Sequence, residues 1–189
     1  MNEYEVKLTG LDKASVREVL ARTGTLENAE HVQHNLAYHL PPGREIEGGW
    51  LRIRNENGCI AMSLKIIASD RIEDQFEYRL VASSMEEARG FLELMGATQK
   101  AEQEKKREIW RVDDCEVVID EWPFLEAYLE VEGPSEASVK AVTEKLGFDY
   151  ASARVCSASR LYTEKYGVPE KTVNDETPIL IFGMDNPFT

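Results

Sequence analysis

The sequence predicts an α+β fold with an antiparallel sheet, and three observations carry that prediction. Eight short segments, near residues 2–9, 33–40, 49–55, 59–67, 71–82, 104–112, 115–121 and 127–133, alternate apolar and polar residues with the period of two that a pleated strand imposes. Helical segments with recognisable caps fall between them, yet helices and strands do not alternate one for one, as the crossovers of a parallel sheet would require. The polar faces of these strands also carry charges in step with one another.

The first strand reads Glu3-Tyr4-Glu5-Val6-Lys7, so Glu3, Glu5 and Lys7 leave one face and Tyr4 and Val6 the other. Two carboxylates about 7 Å apart with an ammonium next in line can hold a divalent cation beside an anionic ligand, although these residues alone also suit a plain amphipathic edge strand. Asp12 caps a helix that turns Val16, Val19 and Leu20 to one side and stops at Gly24. Leu51-Arg52-Ile53-Arg54 puts two guanidinium groups on one strand face, and Met62-Ser63-Leu64-Lys65 adds an ammonium. Ser84-Met85-Glu86-Glu87 is a capping box ahead of Ala88, Phe91, Leu92 and Met95, closed by Gly96. Lys105-Lys106-Arg107 places Lys105 and Arg107 together, and Leu129-Glu130-Val131-Glu132 contributes two more carboxylates. Ser135 opens a helix with Val139, Val142 and Leu146 inward, ending at Gly147, and a further helix is expected from about Ala158 to Tyr166. Such a sheet either turns its charged side to water or closes into a barrel with a charged lumen.

A chain of 189 residues fits one domain with a core of its own. Its 22 basic and 35 acidic residues leave a net charge of −13, a field that repels nucleic acid and anionic membranes, so an anionic ligand needs a local cluster of cations. Cys59, Cys115 and Cys156 are far apart and form no C-x-x-C, which fits reduced thiols in a cytoplasmic protein. The amino terminus enters a charged strand at once, so no signal peptide is expected, and no apolar run approaches the length of a membrane span. His31, His34 and His39 match no common zinc spacing and are expected on strands or at the surface. Trp50, Trp110 and Trp122 sit among apolar strand residues, as core or rim. There is no serine-hydrolase elbow, P-loop or dinucleotide-binding glycine pattern. Residues 41–49 form a turn-rich loop, and the tail from Val168 has one apolar patch, Ile179-Leu180-Ile181-Phe182, suited to an added strand or to self-association.

In this order, Glu3-x-Glu5-x-Lys7, Arg52-x-Arg54, Lys65, Lys105-x-Arg107, Asp120 and Glu130-x-Glu132 resemble the CYTH domain of the triphosphate tunnel metalloenzymes. Asp120-Glu121-Trp122-Pro123, Tyr128 to Gly133, and Leu161-Tyr162 with Lys165-Tyr166-Gly167 resemble a bacterial and archaeal branch of that family. The resemblance implies a CYTH domain over residues 1–167, with 168–189 as a tail packing on it or extending it. It implies a closed eight-stranded antiparallel β-barrel, the triphosphate tunnel, with flanking helices. The implied activity is metal-dependent hydrolysis of a small triphosphate such as tripolyphosphate, ATP or thiamine triphosphate. The alternatives are a class IV-type adenylyl cyclase making cyclic AMP from ATP and a non-catalytic triphosphate-binding protein.

Triphosphate carries about four negative charges, so its binding needs several cations, and the planar fork of arginine suits phosphate oxygens. By resemblance Lys7, Arg52, Arg54, Lys65 and Arg107 bind substrate, while Glu3, Glu5, Asp120, Glu130 and Glu132 hold Mg²⁺ or Mn²⁺, hard cations that prefer oxygen ligands. Glu130, Glu132 and Lys105 are the implied catalytic groups, in a monomer or homodimer. The chain departs from the family at three points. Where R-x-E-x-E is usual it has Gln75-Phe76-Glu77-Tyr78-Arg79, where D-x-Y is usual it has Asn35-Leu36-Ala37, and where S-Y is usual it has Ser157-Ala158. Arg79 is therefore expected as an added phosphate-binding cation in place of a metal-facing glutamate.

Overall fold

The computed structural model describes residues 2–56 and 58–189. Along the chain run β1 (Tyr4–Leu8), α1 (Lys13–Thr23), β2 (Thr25–His39), β3 (Gly49–Glu56), β4 (Cys59–Ile67), β5 (Gln75–Ala82) and α2 (Met85–Leu94). Then follow β6 (Thr98–Val112), β7 (Cys115–Glu121), β8 (Tyr128–Gly133), α3 (Glu136–Lys145), α4 (Ala158–Tyr166), α5 (Glu170–Asp175) and β9 (Ile179–Leu180). Eight strands form one antiparallel sheet in the order β1-β8-β7-β6-β2-β3-β4-β5, and β9 adds to β6 in parallel.

The sheet curls into an open half-barrel, which corrects the expectation of a closed one. Among the described residues, the backbones of the β1 and β5 edges meet where Asn2 bridges Phe76 and the Glu3 N–H donates to the Gln75 carbonyl at 2.9 Å. Further along β1 the free edge is taken by another segment: Lys7 and Arg154 exchange backbone hydrogen bonds of 2.8 and 2.9 Å. A strand edge occupied there cannot also continue a ladder to β5.

The helix starts follow from their caps. Asp12 accepts from Ser15 N at 2.8 Å, Ser84 from Glu87 N at 3.1 Å and Ser135 from Ser138 N at 3.2 Å, each satisfying a backbone donor that the helix itself leaves unpaired. Gly167, at φ 71°, ends α4 in the left-handed region that glycine tolerates. β2 and β6 extend well beyond the expected segments because register shifts along their ladder interrupt the period-two pattern. Residues 72–74, expected as strand, form a 3₁₀ turn in which Asp74 accepts from Ser69 Oγ at 2.6 Å and Arg71 Nε at 2.9 Å.

Helices α1, α2 and α3 cover the convex face, whereas α4 and α5 border the concave side. Val6, Leu8, Val117, Ile119, Leu129 and Val131 pack there with residues of α1 and α3 such as Leu20 and Val142. Tyr38, Ile53 and Ile60 pack with Ala88 and Leu92 of α2. A third cluster joins Tyr162 of α4 to Val173, Leu180 and Phe188, so the tail has buried apolar contacts of its own. Trp110 is part of the core, and its Nε1 donates to Glu108 at 2.8 Å. With the apolar side chains on the convex side, the alternate residues line a concave face. Among the described residues no helix is long and apolar enough to cross a membrane.

Candidate functional site

The concave face encloses a cavity of about 1530 Å³. Period-two alternation sends Glu5 and Lys7 into it from β1, Arg52 and Arg54 from β3, Lys65 from β4, Lys105 and Arg107 from β6, and Glu130 and Glu132 from β8. Register then decides which charges face each other. Across β1 and β8, Glu5 stands opposite Glu132 and Lys7 opposite Glu130. Glu132 in turn stands opposite Glu116 of β7, and Lys65 of β4 opposite Glu77 of β5.

At one side of the cavity three carboxylates converge. Oxygens of Glu3, Glu5 and Glu132 lie within 4.8 Å of one another, the one such group of metal-competent side chains among the described residues. Lys65 donates to Glu5 at 2.7 Å and to Glu3 at 3.1 Å, while Lys7 pairs with Glu5 and lies 3.0 Å from Glu130. Burial pushes Glu132 up to about 8, and the neighbouring Glu5 and Glu3 charges add to the effect. Burial likewise raises Glu3 to about 7 although Lys65 opposes it. Glu5 behaves oppositely: against burial, the Lys65 and Lys7 ammoniums hold it down at about 2. Glu3 Oε2 is buried and ion-paired with Lys65 Nζ at 3.1 Å. Three converging carboxylates, an all-oxygen donor set, fit a hard divalent cation such as Mg²⁺ or Mn²⁺.

Two residues grouped with these acids in sequence lie apart from them. Asp120 is completely buried beneath the cations, accepting from Lys105 Nζ at 2.7 Å and from Arg107 Nε at 2.8 Å. Glu130 turns toward Lys7 and toward Arg107, whose Nη2 donates to it at 2.6 Å. Against burial, Lys7 and Arg107 hold the Glu130 carboxyl well below the usual carboxylate range. Both acids are thus counter-ions of the cation cluster.

The cations are under strain from their own proximity. Burial and the Arg107 charge pull Lys105 down to about 7, which Asp120 only partly offsets. Burial, Arg52 and Arg107 bring Arg54 down to about 10. Nε of both Arg52 and Arg54 is buried with no hydrogen-bond partner, leaving donors that an anionic ligand would satisfy. Glu77 of β5, not assigned a role from sequence, sits against Arg52 at 3.3 Å and Arg54 at 3.7 Å, and these guanidiniums hold it low against burial. Its signal was its place between Gln75 and Arg79 on one strand face. Glu116 was also missed; burial raises it.

Arg79 shares the Glu77 face but reaches only the cavity rim, where its Nη2 donates to Glu56 at 2.6 Å and its side chain is 42% exposed. Gln75 is buried and donates to the Glu5 carbonyl at 2.8 Å. The histidines do not gather: His31 bonds the Ala29 carbonyl, His34 faces Glu104 at 3.3 Å and His39 faces Asp175 at 3.9 Å. Trp50 and Trp122 line the cavity.

Comparison with known proteins adds a family match and structural neighbours. The model of the CYTH domain family matches residues 1–162. A Vibrio parahaemolyticus protein solved as a candidate adenylate cyclase superposes with a TM-score of 0.73 at 15% identity, over 86% of this chain and 98% of its own. A Pyrococcus horikoshii OT3 protein gives 0.65 at 17% identity, over 80% and 93%. A candidate adenylyl cyclase from Hippeastrum, described as having a dominant triphosphatase activity, gives 0.53 at 16% identity, over 89% and 98%. At these identities the likeness is one of fold. No curated protein matches.

Proposed function

The chain belongs to the CYTH family, and from that membership and the ion pattern of its cavity we propose that it is a divalent-metal-dependent hydrolase of inorganic or small organic triphosphates. One observation carries this: a trio of converging carboxylates and a cluster of guanidinium and ammonium groups share a single cavity. Bound at Glu3, Glu5 and Glu132, Mg²⁺ or Mn²⁺ would supply Lewis-acid charge neutralisation beside the phosphates.

Arg52, Arg54 and Arg107 then grip phosphate oxygens through their planar forks, the first two with unpartnered Nε donors ready. Lys7 and Lys65 act as point charges and keep the acid trio from repelling the substrate. Glu130 holds Lys7 and Arg107 charged and in place, and Asp120 does the same for Arg107 from below. In hydrolysis, the oxygen of water bonds to the terminal phosphorus as the bridging P–O bond breaks, and water loses a proton. Lys105, with its ammonium lowered to about 7, exchanges a proton at neutral pH and is the group suited to that transfer. Arg79, at the rim, gives the incoming anion a peripheral contact. Free Cys59, Cys115 and Cys156 support a cytoplasmic setting.

The test is to incubate the pure protein with tripolyphosphate, ATP and thiamine triphosphate, each with Mg²⁺ or Mn²⁺, and to assay phosphate and cyclic AMP. Metal-dependent phosphate release is the expected result. Cyclic AMP from ATP would make the protein a cyclase, and tight binding without turnover a binding protein.

A further inference from the structure

The cations of β6 do not end at Lys105. Along this strand Gln103, Lys105 and Arg107 line the cavity, so strict alternation would keep Ala101 on that face and send Lys100 to the convex side. The β2–β6 ladder shifts just there: Ala37 pairs with Ala101 and the next residue, Tyr38, with Gln99. Lys100 is the extra residue of a β-bulge, which re-aims its side chain, and the half-buried lysine joins the cavity lining. Its ammonium donates to a neutral partner, Asn174 Oδ1 of α5, at 3.1 Å, and no ion pair to it forms among the described residues. Asn174 is held in turn by donating Nδ2 to Ser159 Oγ at 3.1 Å. Burial lowers the ammonium, and Asp175 offsets this only in part.

Register sets what Lys100 faces. Ala37 stands between two strands, paired with Arg52 of β3 on one side and with Ala101 of β6 on the other. At the usual strand spacing the backbones of Arg52 and Ala101 are about 10 Å apart, a gap that the long side chains of Arg52 and Lys100 straddle. By alternation only the methyl groups of Ala37 and Ala101 fill the concave side of that rung. Arg52 Nε is buried without a hydrogen-bond partner, so one side of the gap offers an unfilled donor and the other an ammonium without a counter-ion. We propose that Lys100 is a phosphate-binding residue of this cavity, gripping together with Arg52 a phosphate that sits over Ala37. The inference rests on the proposed function, since that phosphate is one of the three held by the arginine cluster. The bulge supplies the cation, and Asn174 of the tail steadies it.

Titration calorimetry of the full chain with tripolyphosphate, in the presence of Mg²⁺, tests this. Lys100→Met, which keeps the aliphatic stem, should weaken binding by roughly tenfold, the low end for a charge-assisted contact because this ammonium is half solvated. Lys100→Arg should stay within about threefold of wild type, since it keeps the charge. Ala37→Leu, which fills the gap without touching a charge, should weaken binding by a similar factor, and in the double variant the two losses should not add. A lysine that merely ties down the tail predicts an unchanged tripolyphosphate Kd and a Tm lowered alike by Lys100→Met and Asn174→Leu. That result overturns the proposal while leaving the triphosphate site standing. Loss in Lys100→Met without loss in Ala37→Leu also overturns it, by making the lysine a distant charge rather than a contact. If wild type binds no tripolyphosphate at all, the proposed function fails and takes this assignment with it.

Discussion

Mn²⁺ binding should tighten steeply between pH 6 and pH 8, because the acid trio is assembled with protons on two of its members. Burial raises Glu132 to about 8 and Glu3 to about 7, whereas Glu5 is held at about 2 and stays ionised throughout. A metal takes the carboxylate, not the acid, so binding expels those protons. With these values about 1% of Glu132 and about 9% of Glu3 are ionised at pH 6, against about half and about 90% at pH 8. The product of the two ratios is on the order of several hundredfold in Kd, close to 3.5 kcal/mol. Calorimetry without triphosphate, in two buffers of different ionisation heat, measures both affinity and protons released. Release should approach two protons per ion at pH 6 and fall toward about one half at pH 8. A Kd that moves less than about threefold over this range, or an absence of proton release, would refute the electrostatics. The metal-free protein gives an independent check. From pH 4.5 to about 7 the native trio binds more protons than the unfolded chain, so stability falls as pH rises. Only near pH 8, where Lys105 has lost its proton in the native state while the unfolded chain keeps it up to 10.5, does that difference outweigh the remaining Glu132 proton and turn the trend upward. Thermal melts without metal should therefore show lower Tm at pH 7 than at pH 5, and Mn²⁺ should reverse the order.

Glu130→Gln should retain the native circular dichroism yet cut kcat by at least about a hundredfold, since Lys7 and Arg107 lose the carboxylate that orients them; equal turnover would remove Glu130 from the site. Arg52→Ala should weaken tripolyphosphate binding by about 1.5–3 kcal/mol, the range for a charge-assisted bond, and an unchanged Kd in calorimetry would show that Arg52 does not grip phosphate. Arg79→Glu places two carboxylates together at the rim, where Arg79 now pairs with Glu56; tripolyphosphate affinity should change by less than about threefold because position 79 is solvent-screened, and a larger loss would bring Arg79 into the clamp.

The period-two pattern made the membership of the concave face legible. Arg52 with Arg54, Lys105 with Arg107, and Glu5 with Lys7 are two residues apart, and each pair does enter the cavity. Which acids meet was not legible, because that depends on strand order and register. Glu132 reaches Glu5 because β8 lies beside β1, and Asp120 lies under Arg107 because β7 pairs with β6 one position for one. Glu130, two residues from Glu132, therefore serves the cations while Glu132 joins the carboxylate trio. Lys100 was invisible for a related reason, since a bulge inverts the facing that alternation assigns. The same holds at the edge of the sheet: closure was expected from the family resemblance, but the claim of Arg154 on β1 is a backbone pairing between distant segments with no side-chain signature. The apolar patch at 179–182 contributes Ile179 and Leu180 to a two-residue strand beside Glu102 and Gln103. The short helix α5, only six residues, is below the length at which helical periodicity can be read.

A closed barrel is a hoop, its girth set by a complete ring of hydrogen bonds, and whatever enters must be threaded from an end. This sheet is closer to a spring clip. Its lips, at β1 and β5, touch through the Asn2–Phe76 bridge, the Glu3–Gln75 backbone hydrogen bond and the Gln75 side chain on the Glu5 carbonyl, while the opposite side is stiffened by the long β2–β6 ladder. The lips carry Glu3 and Glu5 on one side and Glu77 on the other. A multivalent ligand that engages both lips would act as a clasp, drawing the edges together, and amide hydrogen exchange should slow first along Gln75–Ala82 when metal and tripolyphosphate are added together.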